Sequence, residues 1–91
     1  MHQSQYRQAQ KISTEVYDLF YKAICLALKS ASPMTFTELS EGVHEILHRR
    51  KQKFAGSIPW YTITVKYDME VKGIIETFTE KGKKLHRLKN K

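Results

Sequence analysis

The stretch from Ser57 to Ile75, SIPWYTITVKYDMEVKGII, decides the fold. Serine is a common helix cap, and Pro59 suits a first helical turn, where its missing N–H costs nothing. Gly73 suits the left-handed backbone found just past many helix ends. The stretch therefore predicts a helix that opens at Ser57 and closes at Gly73, where a β-rich pattern begins.

Two helices are predicted before this stretch. From Ser13 onward, apolar residues recur at spacings of three and four, the period of one buried helix face, until Ser32-Pro33 stops the pattern. The short segment from Pro33 to Thr35 is expected to form a small edge strand. Thr35 followed by Glu38 matches a capping box, so a second helix should start there. The apolar faces comprise Val16, Leu19, Phe20, Ala23, Ile24, Ala27 and Leu28 in the first helix, and Phe36, Leu39, Val43, Ile46 and Leu47 in the second.

After Gly73 the pattern changes to that of a β-hairpin. Residues 74–79 are β-branched and aromatic, residues 80–83 form a plausible turn, and residues 84–89 return as a second strand. Pairing Thr79 with Lys84 gives chemically sensible partners, which favours this register over a one-residue slip. The partners are Phe78 with Leu85, Glu76 with Arg87, and Ile75 with Leu88.

The order helix, short strand, helix, helix, hairpin resembles the winged helix-turn-helix family. The phrase from Met69 to Glu76, MEVKGIIE, looks like that family's third-helix ending before the wing, and the resemblance covers about Thr14 to Lys89. The chain also resembles small single-domain bacterial members without an assigned role. The resemblance implies an α+β fold of three helices, a short strand and a C-terminal hairpin wing. We expect one domain over residues 13–91, preceded by a flexible arm or frayed helix start over residues 1–12.

Composition limits the compartment and the class of partner. The chain of 91 residues has 16 Lys and Arg against 9 Asp and Glu, and its net charge of +7 favours polyanions. The single cysteine, Cys25, excludes an intramolecular disulfide and is typical of a reducing compartment. The N-terminus lacks the apolar core of a signal peptide, and no run approaches the ~20 apolar residues of a membrane span. We therefore expect a cytoplasmic protein with no membrane partner.

The resemblance implies that the third helix lies in the major groove of double-stranded DNA. On that helix, Tyr61, Thr64 and Lys66 are expected to face the DNA. Six of the last eleven residues are Lys or Arg with no acid among them, which favours phosphate contact with release of counterions. An alternative interpretation of this basic run is a solubilising edge strand and tail. The wing residues implied to contact phosphates or the minor groove are Lys81, Lys83, Lys84, Arg87 and Lys89.

The third helix is apolar on two sides, which leaves a second function open. Alignment with the family's ending places Thr62, Val65 and Met69 inward, and Trp60, Tyr61, Ile63, Thr64 and Tyr67 outward. Periodicity instead marks Trp60, Ile63, Tyr67, Val71 and Ile74 as the larger apolar stripe. A helix of this kind is buried on both sides or displays an adhesive patch. The alternative function is thus a protein interface or homodimer that uses Trp60, Ile63 and Tyr67, and a third interpretation makes these residues core.

Catalytic and metal-binding patterns are weak. His44 and His48 stand four apart on the second helix, but the residues around them do not form a metalloprotease motif. Cys25 lies near the buried face of the first helix, where a thiol is normally an inert small hydrophobe. The sequence has no glycine-rich phosphate loop and no nucleophile elbow, and a domain this small has little depth for a pocket. We expect no enzymatic activity, no cofactor, no metal and no small-molecule substrate.

Overall fold

Three helices are followed by a C-terminal hairpin in a computed structural model that describes residues 12–51 and 56–89. This α+β layout is the one expected from the sequence. Almost all of the predicted N-terminal arm lies outside the described residues. The elements are α1 (Thr14–Ser30), α2 (Phe36–Arg49), α3 (Ile58–Val71), β1 (Ile75–Glu80) and β2 (Lys83–Leu88).

Each helix begins at a side-chain cap, and those of α2 and α3 were predicted. A hydroxyl just before the helix accepts the backbone N–H three residues on, which satisfies one of the unpaired donors of the first turn. In α2 the Glu38 carboxylate also accepts the N–H of Thr35 at 3.0 Å, so the predicted capping box is confirmed. The three caps, each at 3.2 Å, are Ser13 with Val16, Thr35 with Glu38, and Ser57 with Trp60.

Helix α3 ends in a Schellman motif at Gly73. The N–H of Gly73 bonds to the carbonyl of Glu70 at 3.0 Å, and the N–H of Ile74 bonds to the carbonyl of Met69 at 2.8 Å. This pattern requires a left-handed residue, and Gly73 has φ +77°. The glycine therefore ends α3 and redirects the chain into β1, as predicted.

The hairpin has the predicted register. Phe78 pairs with Leu85, and Ile75 pairs with Leu88 at the base. The turn residues Lys81 and Gly82 both have positive φ, 52° and 78°, as the favoured two-residue turn between antiparallel strands requires. Because side chains alternate along a strand, one face of the hairpin packs against the helices and the other faces outward.

The predicted edge strand before α2 is reduced to one bridged residue. Met34 exchanges both backbone hydrogen bonds with His86 of β2, at 3.0 and 2.8 Å. This bridge fastens the connection between α1 and α2 to the hairpin.

The core lies between the three helices and the base of the hairpin. Val65 and Met69 of α3 are fully buried together with Thr62, the three positions that alignment with the family's ending places inward, whereas periodicity favoured the opposite side. Fully burying each large apolar side chain contributes about 1.5–3 kcal/mol of transfer free energy. The other large members are Phe20, Ile24 and Leu28 from α1, Leu39, Val43 and Leu47 from α2, and Ile75 from β1.

Across the described residues, no helix is both long enough and apolar enough to cross a membrane.

Candidate functional site

The candidate site comprises the outer side of α3 and the adjoining hairpin. Four residues of α3 recur at spacings of three and four on the side opposite the core, and we call them the α3 stripe: Trp60, Ile63, Tyr67 and Val71. Val71 is 75% exposed and Trp60 is 39% exposed, whereas Ile63 and Tyr67 are half-buried. The structure therefore places the larger apolar side of α3 outside the core, although periodicity alone favoured it as the buried side.

Tyr61 contacts α1 from the first turn of α3. Its ring stacks on Phe20 with 5.5 Å between centroids, and the Trp60 ring meets it edge-on at 4.8 Å. Tyr61 is half-buried, so only part of this predicted DNA-contacting side chain reaches solvent. The aromatic contacts hold the start of α3 against α1.

Thr64 is buried, and the prediction that it faces outward is wrong. It is 4% exposed, and its hydroxyl donates to the carbonyl of Trp60 at 2.8 Å, the bond that threonine commonly makes inside helices. Thr64 lies one turn before Asp68, whose carboxylate accepts a hydrogen bond from Tyr17 of α1. The flank of α3 that carries Thr64 is therefore turned toward α1.

Lys66 is also buried, contrary to its predicted position facing DNA. It is 3% exposed because it lies four residues after Thr62 and three before Met69, on the inward side of the helix. Its Nζ lies 3.0 Å from Oε2 of Glu70 and 4.4 Å from the centroid of the Tyr67 ring. Burial lowers the pKa of Lys66, and the bond to Glu70 opposes that shift. The charge of Lys66 is compensated inside the protein.

The basic side chains of the hairpin are exposed. Arg87 is engaged locally, since its guanidinium lies 2.7 Å from Glu76 and 4.7 Å from the centroid of the Phe78 ring. The other predicted phosphate-contacting residues take part in no ion pair within residues 12–51 and 56–89. We call these four the hairpin lysines: Lys81, Lys83, Lys84 and Lys89.

A polar cluster that was not predicted from the sequence fastens α3 to α1. Tyr17 donates to the carboxylate of Asp68, and Lys72 lies 3.0 Å from the same oxygen. Burial, reinforced by Asp68, raises the pKa of Tyr17 to about 12, and the bond to Asp68 raises the pKa of Lys72. The spacing of Asp68 and Lys72 is a visible signal of a helix pair. Tyr17, 51 residues away from Asp68, leaves no such signal.

The histidine and cysteine candidates remain isolated. His44 and His48 are exposed on α2, and the described part of the chain holds no group of three or more His, Cys, Asp or Glu that could bind a metal. Burial raises the pKa of the half-buried Cys25 thiol, which disfavours the thiolate that a nucleophile requires.

Comparison with known proteins identifies a family. The model described as "Family of unknown function (DUF6958)" matches residues 1–85. No curated protein and no solved structure matches the chain.

Proposed function

The chain belongs to the DUF6958 family, and we propose that it is a winged-helix protein that binds double-stranded DNA chiefly through its hairpin, without catalysing a reaction. The order of helices and hairpin supports the winged-helix assignment, and so does the bridge between Met34 and β2, where the family has its short strand. Binding of this kind suits a transcriptional regulator.

The exposure of the hairpin lysines is the observation that carries the proposal. Three of them lie at the hairpin turn, where only Gly82 interrupts the run: Lys81, Lys83 and Lys84. All three are exposed to solvent. Each phosphate contact releases counterions and contributes about −0.9 to the slope of log affinity against log salt. Four such contacts give a slope of about −3.6.

The outer side of α3 has only a minor role in recognising the base sequence of the duplex in this proposal. Arg, Asn and Gln are the side chains that most often read guanine and adenine edges, and α3 contains none of them. Of the α3 residues expected to contact DNA, Thr64 and Lys66 are buried, and Tyr61 alone stays in the proposal. We therefore propose binding with weak sequence preference, in which the hairpin supplies most of the affinity.

A charge-matched pair of double variants tests the proposal. We expect Lys83→Gln with Lys84→Gln to weaken binding to a mixed-sequence duplex at low salt and to reduce the magnitude of the salt slope by about 2, close to one unit for each phosphate-binding lysine removed. Lys22→Gln with Lys29→Gln removes the same charge from exposed positions on α1 and should leave the slope nearly unchanged. Fluorescence anisotropy over a salt series measures both quantities. Equal losses in the two double variants would show that only net charge attracts the duplex.

The α3 stripe favours a second candidate function, association with another protein or with a second copy of the chain. Exposed aromatic residues are common anchors of interfaces, and Trp60 at the start of α3 is exposed, as is Val71 at its end. Such a contact would leave the hairpin lysines free.

Sedimentation equilibrium tests the homodimer form of this candidate. If the α3 stripe mediates self-association, we expect Val71→Glu to shift a concentration-dependent dimer to monomer, because it places a charge in an apolar contact. Thr37→Glu, at an exposed position on α2, is the matched control and should not change the mass. A strict monomer at all accessible concentrations would eliminate the homodimer.

A further inference from the structure

A second polar cluster, partly buried, joins α3 to both strands of the hairpin. Oε2 of Glu70 accepts a hydrogen bond from Nζ of Lys66 at 3.0 Å and another from the hydroxyl of Thr77 on β1. The Thr77 oxygen also lies 2.9 Å from Nδ1 of His86 on β2. We call these four residues the Glu70 cluster, of which Lys66 and His86 are 3% and 2% exposed.

The proton positions within the Glu70 cluster follow from counting donors. The Thr77 hydroxyl carries one hydrogen, which it donates to Glu70, so the bond to His86 requires an N–H on Nδ1. The resulting relay runs from His86 through Thr77 to the carboxylate of Glu70. One carboxylate oxygen on α3 thus holds both strands of the hairpin.

The Glu70 cluster lies where the hairpin leaves the body of the protein. Toward the base, Ile75 is in the core and the N–H of Lys89 bonds to the carbonyl of Ile74 at 2.9 Å. Toward the tip, the next pair on the same face, Thr79 with Lys84, is exposed. The backbone holds the hairpin to the body at this base and at the bridge between Met34 and His86, which ties β2 to the connection between α1 and α2. The side chains of the Glu70 cluster add an attachment to α3 beyond the base, which opposes rotation of the hairpin relative to that helix.

We propose that Glu70 is a positioning residue: through Thr77 and His86 it fixes the angle between the hairpin and α3, and so holds the hairpin lysines in place for the duplex. The inference rests on the proposed DNA-binding function. Glu70 does not contact DNA in this arrangement, since its carboxylate is occupied by Lys66 and Thr77.

Thr77→Val tests the positioning role, because it removes the relay while retaining the shape of the side chain and the bond between Lys66 and Glu70. Thr79→Val is the matched control on the same face of the same strand. Residual dipolar couplings report the angle of the hairpin to the helices at a temperature where every variant is fully folded. We expect the hairpin couplings to change in Thr77→Val and not in Thr79→Val or Thr77→Ser, which keeps the hydroxyl.

Duplex affinity is the second readout. We expect Thr77→Val to bind the mixed-sequence duplex between about twofold and thirtyfold more weakly, the range for residues that act on a site without touching it. Thr77→Ser should restore the affinity. If Thr77→Val does not fold, Lys66→Met combined with Glu70→Met takes its place, because removing both charges together leaves no unpaired buried ion.

Unchanged couplings in Thr77→Val would overturn the inference, as would changed couplings with unchanged affinity. If the unmodified chain does not bind the duplex, the proposed function fails and the positioning role for DNA fails with it. The dipolar couplings of Thr77→Val distinguish this result from an error in the proposed role of the Glu70 cluster. A changed hairpin angle, even without DNA binding, would show that the cluster positions the hairpin.

Discussion

Lys66 is the residue whose environment departs most from its usual preference. Lysine is almost never fully buried without a partner, because removing an ammonium from water is costly. Here the compensation comes from Glu70, one turn later on the same helix, with the ring of Tyr67 alongside. The buried charge of Lys66 is therefore paired with a single carboxylate.

Substitution of that carboxylate is expected to be strongly destabilising. Glu70→Ala leaves the Lys66 ammonium buried and unpaired, so we expect the free energy of unfolding to fall by about 3 kcal/mol. This value is at the lower end of the range for a broken buried ion pair, because Glu70 is partly exposed. Urea denaturation measures the change. Glu45→Ala breaks the solvent-exposed pair with Arg49 and is the control, with an expected loss below about 1 kcal/mol. Equal losses of unfolding free energy in the two variants would show that another group compensates the charge of Lys66.

The hairpin carries the exposed lysines of the candidate site and is joined to the core at its base, through Ile75. The register and turn of the hairpin and the caps of α2 and α3 could be predicted because they depend on residues close together in sequence. The orientation of α3 could not be predicted in the same way from local residues. Both sides of the helix carry apolar residues, and which side is buried depends on partners distant in sequence. Tyr17 and His86 settle that choice through Asp68 and Glu70, and neither contact has a local signature. The four-residue spacing of Lys66 and Glu70 indicates a helical ion pair in the sequence, but it does not distinguish a buried pair from an exposed one.

The stability of the hairpin contact is expected to depend on pH through His86. Burial, followed by the nearby Lys66, lowers the pKa of His86 below its ordinary value of 6.5, and Lys84 acts in the same direction while Glu70 opposes it. The unfolded chain therefore binds the proton first on acidification. The contribution of His86 is fully present above about pH 6.5 and is lost as pH falls from there toward the folded pKa.

Comparison with a variant that lacks His86 separates this effect from that of the carboxylates. We expect the unfolding free energy of the unmodified chain to fall between about pH 7 and about pH 5.5 more steeply than that of His86→Gln, by at most about 1.4 kcal/mol per pH unit for one proton. His44→Gln, at an exposed position, should retain the steeper dependence. Parallel curves for all three proteins would contradict the assignment of a neutral buried His86.

At the scale of the whole molecule, the candidate site has a charged part and an apolar part. The net charge of +7 includes the hairpin lysines, whereas the α3 stripe is apolar. This division changes the expectation drawn from the winged-helix resemblance, in which the third helix lies in the major groove. With Thr64 and Lys66 buried, the proposed binding to a duplex relies mainly on the hairpin, and the α3 stripe is left for the proposed protein contact.

An NMR titration of the isotope-labelled protein with a mixed-sequence duplex at low salt tests the central claim most directly. We expect the backbone amides from Lys81 to Lys89 to shift progressively, with larger changes than those of Trp60 to Tyr67, and added salt to reverse the shifts because the contacts are with phosphates. Hairpin amides that do not move, or shifts confined to α3, would contradict DNA binding through the hairpin.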